Sequence, residues 1–226
     1  MEERKTRLIH DLQDHIRYLS ELGAEFIAAP DTSPGPAASS GPDLGALEAL
    51  IRRCEKCPLS QTRTQAVPGE GSAQADLMFI GEGPGHDEDA QGLPFVGRAG
   101  QLLTKIINAM GFRREDVYIT NLVKCRPPQN RNPNGEEIEA CTPYLQQQLD
   151  LIRPRVIVSL GNVPTHFLLE TRSGITVMRG TFQKHAGIPV MPTFHPSYLV
   201  RNEQNRELKR MVWEDMKQVM ELLGRK

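Results

Sequence analysis

Several things that would narrow the role of this sequence at once are absent or scarce. No apolar run in its 226 residues reaches membrane-spanning length, which argues against a helical membrane protein. The formal net charge is only −1, so the chain is no bulk polycation, although a local basic face remains open to it. No internal repeat occurs, which excludes solenoids and propellers. The amino-terminal stretch "MEERKTRLIHDL" is charged and lacks the apolar core of a secretory signal, an expectation of cytosolic residence. Disulfides rarely persist in that compartment.

Cysteine is scarce too, and its spacing is informative. Cys54 and Cys57 form a C-x2-C pair, Cys125 follows far downstream, and fifteen residues separate it from Cys141. Four thiols in a reducing compartment, two at ligand spacing, point to a four-thiolate metal site rather than four unrelated buried thiols. Zinc and an iron–sulfur cluster both accept such a set, and spacing alone does not choose between them.

Hydrophobic periodicity divides the chain. Leu8, Leu12, Ile16, Leu19, Leu22 and Phe26 recur at helical spacing, so residues 1–28 read as an amphipathic helix. It either docks on the main domain or serves as a segment for a protein partner. Residues 29–43, rich in Pro, Gly, Ser and Ala, read as a flexible linker. From Leu44 to the end the pattern is that of one folded domain. The runs "ADLMFIG", "DVYITNLV", "RVIVSLG" and "IPVMPTF" are short and apolar with little alternation, as strands buried on both faces are. Between them stand helical stretches with capping or breaking residues at their ends, and a long helix closes the chain. The alternation predicts an α/β fold: a central four-stranded, mostly parallel sheet with helices on both faces.

Ligands of such sheets collect at the carboxyl ends of the strands. There the sequence places "GEGPG" with Glu82, "TNLVKC" with Asn121, and "TFHPSYLVRN" with His195. A carboxylate, an amide and an imidazole on one rim suit a small, planar, polar ligand. Behind the glycine turn lie Asp87, Glu88 and Asp89, of which Asp87 and Asp89 suit the solvated first turn of a helix.

Taken together, "CEKCPL", "GEGPGHDEDAQGLPFVGRAGQLL", "YITNLVKCRPPQNRNPNGEEIEAC", "VIVSLG" and "FHPSYLVRN" resemble, in order, the motifs of the family-4 uracil-DNA glycosylases, iron–sulfur enzymes that remove uracil from DNA. The resemblance runs from about Leu44 to Arg206. It implies a three-layer glycosylase fold and a 4Fe–4S cluster on Cys54, Cys57, Cys125 and Cys141. It implies that Gly83, Phe95 and Asn121 bind uracil and that His195 stabilises the departing base. Glu82 is the preferred carboxylate for orienting water or stabilising the sugar cation, with Glu88 second. Tyr198, Leu199 and Val200 are expected to wedge into the duplex, with Arg201 against a phosphate and Lys124, Arg126 and Arg131 adding positive charge. The implied partner is uracil-containing DNA, single- or double-stranded, in a cytoplasmic, nucleoid-associated setting. A covalent variant of the chemistry needs an inserted basic loop, and none is present. Two alternatives stand beside this reading. One is a non-catalytic iron–sulfur DNA-binding accessory of a polymerase, which leaves Asn121, Phe95 and His195 without a purpose. The other is a phosphate-loop protein, for which the glycine fingerprint is lacking.

Overall fold

A computed structural model describes residues 43–225; the expected amino-terminal helix, and the linker up to residue 42, lie outside the described residues. The apolar runs become strands whose alternate side chains serve two cores. In β2 (Leu77–Gly81), Leu77 and Phe79 enter one cluster while Met78 and Ile80 enter the other. The same division holds for β4 (Val156–Leu160), where Val156 and Val158 face away from Ile157. All five residues of each strand are buried, as near-continuous apolar composition requires.

Helices cover both faces. On the first lie α3 (Arg98–Ala109), α7 (Pro196–Arg201) and α8 (Arg206–Leu222), which contribute Leu103, Leu199 and Met216. On the second lie α4 (Gly135–Ile152) and α5 (Asn162–Leu168), through Leu145, Leu149 and Leu168. The first described helix, α1 (Leu44–Arg52), is capped by Asp43, whose carboxylate accepts the Ala46 N–H at 2.6 Å. Its buried Leu47 and Ile51 share a third cluster with all four cysteines. Two short helices, α2 (His86–Gln91) and α6 (Ile175–Met178), sit beyond strand ends.

The sheet has six strands where four are expected. The order is β1-β3-β2-β4-β6-β5, with β3 at Tyr118–Asn121 and β6 at Ile188–Thr193. The inner four are mutually parallel, as predicted. The additions are the antiparallel edges β1 (Glu70–Gly71) and β5 (Gln183–His185), at two and three residues too short to leave a pattern. Within "HPSYLVRN", Pro196–Arg201 form α7 with His195 as its N-cap. β2 pairs with β3 on one side and β4 on the other, so the winding reverses there and opens a crevice at the strand carboxyl ends.

A buried ion pair fastens this end of the sheet. Asp215 of α8 has no exposed surface, pairs with Arg179, and accepts the Thr193 hydroxyl at 2.5 Å. Thr193 ends β6, two residues before His195. Burial raises the Asp215 carboxyl above the usual range in spite of both partners. Removing one member of such a pair leaves the other charge uncompensated, at about 3–5 kcal/mol. Asp215→Ala should therefore lower unfolding free energy by about 3 kcal/mol in urea denaturation; a loss below about 1 kcal/mol contradicts the assignment.

Candidate active site

The crevice is built around a missing side chain. A Cβ on Gly81, the last residue of β2, would stand 2.4 Å from the Asn121 Oδ1 and 2.6 Å from the Phe95 Cζ. Only glycine lets the amide and the ring meet there. Gly83 is similarly confined, since a Cβ would approach Val123 Cγ2 to 2.8 Å. Between them Glu82 turns inward and is half-buried, which raises its carboxyl pKa. Among the described residues no hydrogen bond engages that carboxylate, so it is free to meet a water or a ligand.

Phe95 is held in a left-handed backbone conformation, φ 51°, which a bulky residue adopts only when its surroundings impose it. Glu88 imposes it. One oxygen accepts the N–H groups of Val96 and Gly97, both at 2.9 Å, and the other accepts that of Gly85 at 3.1 Å. Gly100 lets α3 close against the same turn, since a Cβ there would lie 1.9 Å from the Phe95 carbonyl. Arg114 adds a bond to the Pro94 carbonyl while paired with Glu70 at 2.8 Å. Glu88, expected as the second candidate for orienting water, thus has both oxygens engaged by backbone and shapes the loop instead. Asp89 is a correction: expected in solvent, it is buried and accepts the Thr64 and Gln65 N–H groups at 2.8 and 3.3 Å. Asp87 is exposed beside His86, as expected.

Asn121 closes β3 and is 2 % exposed. Its Oδ1 is the one buried side-chain polar atom among the described residues that has no hydrogen-bond partner. Buried acceptors are rarely left so, and a vacant one in a crevice calls for a donor from a ligand. His195 stands opposite Phe95, ring centroids 5.6 Å apart and planes tilted by 33°. Its Nδ1 accepts the Ser197 backbone N–H at 3.1 Å and lies 2.7 Å from the Ser197 hydroxyl. An Nδ1 that accepts leaves the proton on Nε2, so the ring is neutral and donates from its other edge. Burial, with the nearby Arg201 charge, pushes the pKa down to about 4. The crevice joins Glu82, Gly83, Phe95, Asn121 and His195 around a cavity of about 670 Å³.

The four cysteines meet at one pocket, between α1, α4 and the segment after β3. All are free thiols. Arg63 donates to Cys125 Sγ at 3.0 Å, and the Lys124 backbone N–H donates to Cys141 Sγ at 3.2 Å. Burial raises both thiols, Cys141 to about 11. Four sulfurs around one pocket, two of them with N–H donors aimed at them, suit a thiolate-ligated group. Among the described residues no three His, Cys, Asp or Glu side chains are placed to share a single ion.

The expected DNA-facing residues divide. Tyr198 and Arg201 line the cavity mouth, Tyr198 at 38 % exposed. Leu199 does not: it is 2 % exposed and packs in the first core, because α7 turns every third or fourth residue inward. Lys124 is 1 % exposed and bonded to interior oxygens rather than facing a phosphate, with burial pushing its pKa down to about 7. Arg131 is taken up in a two-pronged pair with Glu137 at 2.6 and 2.8 Å. The sequence reading missed Asn162, whose Oδ1 accepts the Ile175 N–H at 2.7 Å and holds α6 at the rim; its place just past β4 was the available signal.

Known proteins resemble this chain along most of its length. The family model described as the uracil DNA glycosylase superfamily matches residues 68–217. A type-4 uracil-DNA glycosylase of Thermotoga maritima is 50 % identical over 168 residues, covering 74 % of this chain and 87 % of that protein. One from Saccharolobus solfataricus is 46 % identical, over 78 % of this chain and 84 % of its own length. A type-4 uracil-DNA glycosylase of Archaeoglobus fulgidus is 44 % identical over 78 % of this chain and 91 % of its own. A strand-end crevice with a vacant amide acceptor, a constrained phenylalanine and a neutral histidine, in a chain this similar along most of its length, belongs to the uracil-DNA glycosylase superfamily and to its type-4 branch.

Proposed function

We propose that the crevice takes up a uracil flipped out of DNA and that the enzyme hydrolyses its N-glycosidic bond, leaving an abasic site for repair. The observation that carries this reading is the vacant Asn121 Oδ1. Uracil offers N3–H beside O4; the Asn121 oxygen accepts the first and its amide N–H₂ donates to the second. With the amide oriented as found, cytosine presents an acceptor at N3 and a donor at position 4, and both contacts fail. Each buried polar group left unpaired costs about 1–3 kcal/mol, enough to reject that base without editing. Phe95 stacks on the ring, a contact worth about 1–3 kcal/mol per base.

As the N1–C1′ bond breaks, its electron pair stays with uracil and charge gathers on O2. The Nε2–H of neutral His195 donates to that oxygen, preorganised by the bonds at Nδ1. Glu82 faces the electron-poor sugar, orients the water that attacks C1′ and accepts its proton. Glu88 acts through the backbone, keeping Phe95 in place. Tyr198 and Arg201 meet the DNA strand at the mouth, Arg201 through phosphate.

Cys54, Cys57, Cys125 and Cys141 are the residues that would hold a 4Fe–4S cluster. Bound by these thiols, a cluster would supply structural cross-linking between α1, α4 and the segment that follows Asn121. The type-4 identity and the four thiols around one hollow support it over zinc.

An oligonucleotide with a single uracil should be cut by alkali after incubation with the protein, whether U faces G, faces A or is single-stranded; the same oligonucleotide with thymine or cytosine should stay whole. Asn121→Ala should lower the single-turnover rate about 10-fold or more, and His195→Ala about 100-fold, while an unchanged rate in both sinks the assignment. Because His195 stays neutral far below its ordinary value of 6.5, the pH–rate profile should show no inflection there. The activity should instead fall in acid as Glu82 gains its proton, at a pH above the ordinary 4.5. The purified protein should be brown and carry iron; a colourless active protein with stoichiometric zinc would falsify the cluster.

A further inference from the structure

Resting on the reading of Asn121 above, we propose that Lys124 is a positioning residue for uracil recognition: its buried ammonium ties the backbone carbonyl of Asn121 to the helix that carries Cys141. Lys124 folds back along its own chain, and Nζ lies 2.6 Å from the Asn121 carbonyl oxygen. Two more acceptors complete its shell, Thr120 Oγ1 and Gln148 Oε1, both at 2.7 Å. Each is oriented for the task. Thr120 directs its own hydrogen to the Pro68 carbonyl at 2.7 Å, which leaves its lone pair for Lys124. Gln148 donates to Pro68 and Tyr118 at 2.9 and 3.0 Å, which turns its oxygen toward Nζ. Three N–H groups thus meet three acceptors, and no described carboxylate pairs with the charge.

A methionine would fill the same space with no charge to desolvate, so volume alone does not explain a buried lysine. Its placement does. The Asn121 carbonyl sits where β3 ends, and Gln148 lies on α4, two turns past Cys141. The Lys124 backbone N–H reaches Cys141 Sγ as well. One residue therefore joins the base-reading end of β3 to the four-thiol pocket, and four thiolates around a cluster suit a neighbouring cation. Without the ammonium the Asn121 carbonyl is left buried and unpaired, and the amide beyond it loses its fixed position.

The test compares the iron-loaded full chain with Lys124→Met, Thr120→Val and Thr120→Ser. Thr120→Ser keeps the oxygen that Thr120→Val removes. Single-turnover uracil release, inhibition by free uracil, affinity for abasic DNA, thermal midpoint and visible absorbance are measured on each. Lys124→Met should slow release about tenfold and weaken inhibition by free uracil by a similar factor, with absorbance and abasic-DNA affinity kept. Thr120→Val should show part of that loss and Thr120→Ser should restore it. Wild-type rates and uracil inhibition in Lys124→Met overturn the inference. Should Lys124→Met lose iron or fold poorly, the threonine pair decides: a gap in uracil inhibition supports the role and equal values overturn it. A wild-type chain that releases no uracil overturns the reading of the site itself, whereas an active wild type with unchanged variants overturns only this inference.

Discussion

The site depends on the space left at Gly81. With no Cβ on the last residue of β2, the Asn121 amide and the Phe95 ring occupy the volume a side chain would fill. From that closeness come the two features the proposed base recognition would use, an edge to read hydrogen bonds and a face to stack. The sheet topology puts the vacancy at the switch point between β2 and β4, where winding in opposite directions opens the crevice. Any side chain at position 81 would close the hollow from within.

Holding polar and strained groups in that hollow requires support from farther out. Phe95 stays left-handed because Glu88 gathers three backbone N–H groups and Gly100 lets α3 approach. Asp89 fastens the same loop to the segment after the cysteine pair. Asp215 fixes the end of β6, so that His195 emerges at a set angle. The acidic run behind the glycine turn therefore divides its labour: Glu82 faces the cavity, Glu88 and Asp89 anchor backbone, and Asp87 remains in solvent. Carboxylates whose oxygens are taken up by backbone N–H groups serve as anchors, which is why neighbouring acids have different roles.

Legibility varied with the kind of constraint. The four parallel strands could be read directly, since burial on both faces demands continuous apolar residues. The edge strands could not, because two or three residues carry no period. Cys54, Cys57, Cys125 and Cys141 were grouped from spacing and family motifs, and in the fold they line one pocket. Leu199 and Lys124 were misplaced for one reason. Both stand in motifs near the expected DNA face, and a linear sequence does not say which residues of a turn point inward. The neutral state of His195 was equally hidden, since it follows from a bond at Nδ1 to a residue two positions on.

By itself, the sequence determined the fold class, the order of the motifs and the family they resemble. Periodicity and local turn chemistry act between near neighbours, and their record lies in the chain. The tertiary structure alone decided which acid faces the cavity, that Lys124 turns inward, and that Asn121 presents an unpaired oxygen beside Phe95. Those outcomes depend on burial and on distances between residues far apart in the chain, and such distances exist only once the sheet has closed.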